Sequence, residues 1–357
     1  MQHADPPLVS VVVVARDRRE LLASCLRSLR EQTEARFEVL VVLNGATAAV
    51  AQLARSVADS DARVRPLPCS PRSASMARNL GVQHAGSELL VFLDDDVRVP
   101  PDYLGTVIRV LEEHSEVSIA GGPNLTPPEA SSFARICGEL LASPLGSGVT
   151  RRRYGAAAAR EATERDLILC NLVVRRRVFT EGIEFPYLFG GEENVLMGRA
   201  RHASHRLWYS PELWVYHHRR ETLRGYLAQV YRYGWGRGIA LRSAPGTFHP
   251  TFLLPPAFVG YLGVLPWLAR GSRWLVAPAG VYLGLAAASA LPVAARAGRL
   301  SWAPLIPGLF LLTHGAYAAG LASELLRRRR SVDVAPIPAG AVGGRAPRTS
   351  TSAADGR

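Results

Sequence analysis

Three consecutive carboxylates, Asp94, Asp95 and Asp96, close the apolar run Glu88-Leu-Leu-Val-Phe-Leu-Asp-Asp-Asp96. Side chains two apart on a strand share a face, so Asp94 and Asp96 point the same way. Like charges held that close repel unless something neutralises them. A hard divalent cation bound to phosphate oxygens does so, and Mg2+ typically takes one or two protein carboxylates plus substrate phosphates. A turn in which Asp caps the next helix is the plainer alternative; it accounts for one of the three acids. Two more acids, Glu192 and Glu193, follow Gly190-Gly191, and His217 ends the apolar run Leu213–Tyr216. Taken singly, the acid pair suits the first turn of a helix and the histidine suits a core.

These side chains need a frame, and the flanking pattern supplies one. Val9–Val14 is a short β-branched strand. Asp17 and Glu20 then have the spacing of a capping box, opening a helix whose Leu22, Cys25, Leu26 and Leu29 share one face. Phe37–Leu43 reads as a second strand, Asn44-Gly45 as a turn and Ala48–Val57 as a helix. Val64–Leu67 is a third strand and Ser75–Ala85 a third helix, before the strand that ends at Asp94. This βαβαβαβ order predicts an α/β fold with a mostly parallel sheet and helices on both faces. Ligands of such sheets sit beyond the carboxyl ends of the strands. The loops Ala15–Arg18, Asn44–Thr47 and Asp94–Asp96 all lie there. Further on, Ser131–Leu141 reads as a helix, Leu145–Ala159 as a mobile loop and Leu167–Val174 as a strand with Asn171 inside it. The tail after Ser331, built of small and polar residues, reads as disordered.

The chain has 357 residues, a formal charge of +12 and no lysine. Lysine Schiff-base chemistry and a Walker-type phosphate lysine are therefore excluded, and cationic help to a phosphate must come from Arg, His or metal. Arginine clusters at Arg151–Arg153, Arg175–Arg177 and Arg327–Arg330 come with no nucleic-acid motif, so lipid headgroups or a pyrophosphate explain them at least as well. The four cysteines, Cys25, Cys69, Cys137 and Cys170, show no metal spacing and read as reduced thiols, mostly packing residues, in a reducing compartment. The N-terminal residues show no signal-peptide pattern, which predicts a cytoplasmic catalytic part.

From about Val9 to Gly238 the motifs, in order, resemble glycosyltransferase family 2, the inverting, nucleotide-sugar-dependent enzymes of GT-A fold. The pieces are Val-Ser-Val-Val-Val-Val-Ala-Arg-Asp, Val-Val-Leu-Asn-Gly-Ala, Ala77-Arg78-Asn79, Leu93-Asp-Asp-Asp96, Gly191-Glu192-Glu193-Asn194 and Val215-Tyr-His217. Within the family the chain looks like membrane-associated enzymes that build exopolysaccharide or other cell-surface glycans. The resemblance implies a nucleoside-diphosphate-sugar donor and Mg2+ or Mn2+. It places the metal on Asp94, Asp96 and His217, with Asp94 or Asp95 also serving the ribose or a metal-bound water. Donor contacts are expected from Ala15, Asp17, Asn44, Arg78, Asn79, Asp94, Asp95 and Arg232. Acceptor contacts are expected from Asn171 and Tyr233.

Two departures stand out. Most relatives end the second strand with Asp-Asp-Gly-Ser, where an Asp reads the nucleobase; Leu43-Asn44-Gly45-Ala46 stands here. The usual Glu-Asp pair is Glu192-Glu193, with Arg199 at the downstream basic position. By register Glu193 replaces the Asp that deprotonates the acceptor, and Glu192 would position the acceptor or open the helix. The run Gln229-Val-Tyr-Arg232-Tyr233 resembles the Gln-x-x-Arg-Trp motif of membrane-bound synthases. It implies an interfacial helix with Arg232 on the pyrophosphate and Tyr233 under the acceptor sugar.

Phe252–Leu268, Trp274–Ala295 and Trp302–Ser323 are each close to the roughly 20 apolar residues a spanning helix needs. Three spans would put Arg327–Arg330 opposite the catalytic domain, against the positive-inside tendency. The expectation is a hairpin of the last two segments with the first, proline-bearing one partly embedded. Residues 1–246 then form the catalytic domain, with an interfacial helix region at 227–246. Residues 247–330 form the membrane-associated region and 331–357 the tail. The expected function is transfer of a sugar to a lipid-linked or membrane-proximal acceptor, with no nucleic acid involved. A non-catalytic membrane scaffold with a degenerate transferase domain is the alternative.

Overall fold

In the computed structural model, residues 6–71, 73–188 and 190–327 are described. The expected tail at 331–357 and Arg328–Arg330 of the last arginine cluster lie outside them. Strand β1 (Val9–Ala15) leads to helix α1 (Arg19–Arg30), then β2 (Phe37–Asn44), α2 (Ala48–Ser60), β3 (Val64–Cys69), α3 (Ala74–His84) and β4 (Leu89–Asp94). These strands and helices form where the sequence predicts them. Every residue of β2 is buried, as its apolar run requires of a central strand. The capping box is not made: α1 starts at Arg19 and Asp17 is exposed. The preceding residue, Arg18, is drawn to Asp95 and Asp96 instead.

The second half adds β5 (Val97–Arg98), α4 (Tyr103–Glu113), β6 (Val117–Gly121), β7 (Asn124–Leu125), α5 (Ser132–Ala142), the single turn α6 (Pro144–Ser147) and β8 (Arg160–Glu161). Then follow β9 (Asn171–Arg175), the turn α7 (Arg177–Thr180), α8 (Glu192–His202), β10 (Arg206–Tyr209) and β11 (Val215–His217). One sheet has the order β3-β2-β1-β4-β9-β6-β10-β8. It is parallel except for β9, which runs against both β4 and β6, and the edge strand β8. A small sheet, β5-β11-β7, sets His217 beside Val97, next to the triple acid.

Two stretches differ from the sequence reading. The strand expected over Leu167–Val174 begins only at Asn171, because it pairs Asn171 with Leu93 and can reach no further than the end of β4. The segment read as a mobile loop, Leu145–Ala159, holds α6, a 3-10 turn over Gly148–Arg153, and two buried residues, Arg153 and Tyr154. Arg153 is fixed there by the carbonyls of Glu164 and Arg165 and by the Asn194 side chain. A guanidinium with its donors satisfied can be buried where its sequence looks solvated.

The C-terminal part comprises α9 (Leu223–Ser243), α10 (Leu254–Gly271), α11 (Ala277–Arg296) and α12 (Ile306–Leu325). Helix α12 lies along α9. Tyr226 and Thr313 hydroxyls bond at 2.9 Å, Tyr231 donates to Ser323 Oγ at 2.7 Å, and Arg242 meets Glu324 at 3.5 Å. A Cβ on Gly234 would strike the Tyr317 carbonyl oxygen, and one on Gly320 the Tyr231 carbonyl oxygen. Small residues thus let the two backbones touch. Tyr226 is 1 % exposed in this contact. One apolar cluster joins Ile136 and Leu140 of α5, Tyr226 and Val230 of α9, Ala290 of α11 and Phe310 of α12.

Candidate active site

Helix α3 lies close on the sheet because Gly81 has no side chain; a Cβ there would strike Val12. This contact sets Arg78 at the carboxyl edge of the strands. Arg78 donates through Nη2 to Asp94 Oδ1 at 3.0 Å and through Nη1 to Glu192 Oε1 at 3.1 Å. It is 6 % exposed. One guanidinium therefore joins the triple acid at the end of β4 to the acid pair that opens α8, and both belong to one site.

The acid pair owes its place to two glycines with positive φ, Gly190 (φ 137°) and Gly191 (φ 73°). A Cβ on Gly191 would lie 2.6 Å from the Gly236 carbonyl oxygen of α9, so the turn and that helix meet backbone to backbone. Glu192 is buried; burial raises its carboxyl pKa, Arg78 pulls it back and Glu193 pushes it further up. Glu193 accepts from the Asn194 amide at 2.9 Å and lies 3.8 Å from Arg153 Nη1. Arg237 of α9, 7 % exposed, packs over the Phe252 ring at 4.0 Å. Burial, then Arg153, lower its pKa to about 10.

Arg18 pairs with both Asp95 and Asp96. Burial pushes the Asp95 carboxyl up to about 7, against the pull of Arg18 and with the push of Asp96 and Asp94. For Asp96 burial acts upward too, but His217, Arg18 and Arg220 outweigh it and hold the group well below the usual carboxylate range. His217 Nε2 bonds Asp96 Oδ1 at 3.1 Å, while its Nδ1 is buried with no partner among the described residues. A carboxylate only accepts, so Nε2 carries the proton shared with Asp96, and Nδ1 is the ring atom left for a further partner. Ligand atoms of Asp94, Cys170 and His217 lie within 4.8 Å of one another. The Asp94 carboxylate and the His217 imidazole fit a divalent cation, and a carboxylate behind the imidazole, here Asp96, is the usual support of a metal-bound histidine. Cys170 lies beside them as a buried thiol. Burial pushes the Cys170 thiol up.

The other expected residues are distributed as follows. Ala15 and Asn44 end β1 and β2 and are buried at the strand edge, while Asp17 is exposed beside them. Two expected residues are engaged by the frame of the fold. Asn79 exchanges both amide atoms with the backbone of Phe185, at 2.9 and 3.2 Å. Asn171, expected at the acceptor, is fully buried; it accepts from Tyr103 Oη at 2.6 Å and donates to the Leu213 carbonyl. Both asparagines tie chain segments together. On α9, Arg232 is exposed and shares a helical face with Gly236, four residues on. Tyr233 is half-buried and hydrogen-bonds Tyr154. Arg18, Arg153, Arg237 and Cys170 were not singled out from sequence; no motif marks them, and each reaches the site through tertiary packing.

Residues 10–179 match the family model described as glycosyl transferase family 2, a range that holds Arg78 and the triple acid. EpsH of Bacillus subtilis, named as a glycosyltransferase, is 28 % identical over 115 residues, 32 % of this chain and 33 % of its own length. Glycosyltransferase AglE of Haloferax volcanii is 23 % identical over 211 residues, 58 % of this chain and 66 % of its own. The chain therefore aligns with only part of these relatives. In fold it is similar to mannosyltransferase PcManGT from Pyrobaculum calidifontis, solved with GDP-Man and Mn2+. The TM-score is 0.58 at 19 % identity, over 90 % of this chain and 88 % of that one. The sheet order, the fold likeness and the family match converge: residues 10–179 carry a glycosyl transferase family 2 match within a chain of GT-A fold.

Proposed function

We propose that the chain is an inverting, divalent-metal-dependent glycosyltransferase. It would move a sugar from a nucleoside-diphosphate-sugar to a lipid-linked or membrane-proximal acceptor in cell-surface glycan synthesis. The observation that carries the reading is the Arg78 bridge, which holds the Asp94 and Glu192 carboxylates on one guanidinium. The GDP-Man and Mn2+ bound by PcManGT support the donor and metal classes. Residues 1–246 would be the catalytic domain on the cytoplasmic side, and residues 247–330 the membrane anchor.

In this reading the acceptor hydroxyl attacks the anomeric carbon from the side of the acid pair. Its proton passes to Glu193, the more exposed carboxylate of the pair. The bond from the anomeric carbon to the diphosphate breaks on the opposite side, which inverts the centre. Glu192 is a positioning residue that fixes Arg78. Arg232, exposed on the face of α9 that meets the Gly190-Gly191 turn, suits bidentate contact with the pyrophosphate. Asp94 and His217, the latter backed by Asp96, would hold Mg2+ or Mn2+, which neutralises charge on the leaving diphosphate when bound. Asn44 at the end of β2 would face the nucleobase.

The test offers purified protein a panel of nucleotide sugars with Mn2+ and follows nucleotide release. Release with one donor, lost in Glu193→Gln and in Asp94→Asn, is expected. Unchanged turnover in both variants overturns the roles, and no release with any donor removes the enzymatic reading.

A further inference from the structure

Three C-terminal segments are long and apolar enough to cross a bilayer, yet 44 % of the last is buried, against 6 % and 11 % of the first two. What buries it is the catalytic domain. From Thr313 to Leu325, α12 runs beside α9, with bonds at Tyr226, Tyr231 and Arg242 and backbone contact at Gly234 and Gly320. Helix α9 cannot enter hydrocarbon. It carries Arg224, Arg232, Arg237 and Arg242, each costing about 2.5–3.5 kcal/mol at a bilayer centre, and its Gly236 rests on the turn bearing the acid pair. The start of α12 is not free either: Ile306, Leu309 and Phe310 are buried in the cluster that holds Tyr226 and Val230 of α9, so no long stretch of α12 faces outward all round. A crossing needs about 30 Å.

The first two segments have the opposite character. Helix α10 leaves the catalytic domain at Phe252, which packs under Arg237, and has no buried residue along its length. Helix α11 is largely exposed but lays one narrow face, Ala286, Ala290 and Val293, on the cluster with α5; it ends at Arg296, 2.9 Å from Glu139 of α5, and Arg299 then bonds Ser132. Between them the turn carries Arg270, Arg273 and a 76 % exposed Trp274, the residue types that mark a bilayer–water boundary. The two helices touch through Phe258 stacked on Tyr282 at 4.3 Å.

We infer that, among the described elements, α10 and α11 cross the membrane as a hairpin with both ends fixed to the catalytic domain, and that α12 does not cross. Helix α12 returns along the domain at the near surface, so the chain at Leu325 is on the catalytic side. The sequence alone favoured the later pair of segments; the packing of α12 on α9 reverses that choice. The inference holds whichever sugar is moved.

Single cysteines placed at Ser56, Ser272, Ser301 or Leu326 in a Cys69→Ser background, probed with an impermeant maleimide in sealed inverted vesicles, test it. Ser272→Cys is expected to be shielded until detergent is added, while Ser56→Cys, Ser301→Cys and Leu326→Cys react at once. A shielded Leu326→Cys with a reactive Ser301→Cys means three crossings and overturns the inference. A shielded Ser301→Cys with a reactive Ser272→Cys means that α11 and α12 form the hairpin, and overturns it too. Four reactive sites mean no crossing, which refutes the inference and the membrane anchor but leaves the transferase reading standing. An epitope appended to the otherwise native C-terminus checks the same point without substitutions. It should be digested by protease added to intact inverted vesicles, and its survival counts against the arrangement.

Discussion

Arg78 separates two acids that would repel each other and takes a hydrogen bond to each. Breaking a buried pair by removing one partner costs about 3–5 kcal/mol, and the third of Asp94 left exposed argues for the lower end here. Arg78→Met is therefore expected to lower the melting temperature in a thermal-shift assay, and Arg78→Lys to recover only part of it. Glu193→Gln keeps shape but cannot take a proton. It should lower kcat by about 100- to 10,000-fold while donor binding, measured by calorimetry, changes little. Asp96→Asn should weaken Mn2+ binding by about 10- to 100-fold, read by the free-Mn2+ electron-spin signal. At this scale the sequence marked the contiguous motifs Asp94–Asp96 and Glu192-Glu193, which the fold brings onto one arginine. It could not show that Asn79 and Asn171 tie chain segments together, because an amide serves a backbone as well as it serves a sugar. Which it serves depends on Phe185 and Leu213, far along the chain.

Among the elements, α9 carries the most contacts of different kind. One side meets the Gly190-Gly191 turn and the other meets α12, both through glycines. Gly234→Val drives branched atoms into the Tyr317 carbonyl and should separate α9 from α12, lowering thermal stability and activity together. Gly246→Ala, with open space where its Cβ would go, is the matched control and should change neither. The strands β1 to β4 were legible because β-branched runs bounded by turns leave little choice. The stretch Leu145–Ala159 was not. Its arginines look solvated, and only Glu164, Arg165 and Asn194 give Arg153 a reason to be inside.

For the molecule up to Leu326, the apolar cluster that backs the site draws on α5, α9, α11 and α12 alike. A chain stopped after Gly246 would expose Tyr226, Val230 and Ile136, so it should aggregate rather than yield a soluble enzyme. Size-exclusion chromatography against the full chain decides this. Composition marked the three apolar segments clearly, but it could not tell a helix facing lipid from one facing its own domain. Length and hydropathy are the same in both cases; the difference lies in a partner helix some 80 residues earlier, of the order of the Tyr226–Thr313 separation.

Helix α12 is also the last described helix to be synthesised, although it props the helix that backs the acid pair. In the proposed arrangement a ribosome-bound chain would form its donor loops early and complete its reaction centre late, after the hairpin has met the lipid. Activity would then report correct insertion: a chain released at the wrong place would lack the buttress it needs to consume donor.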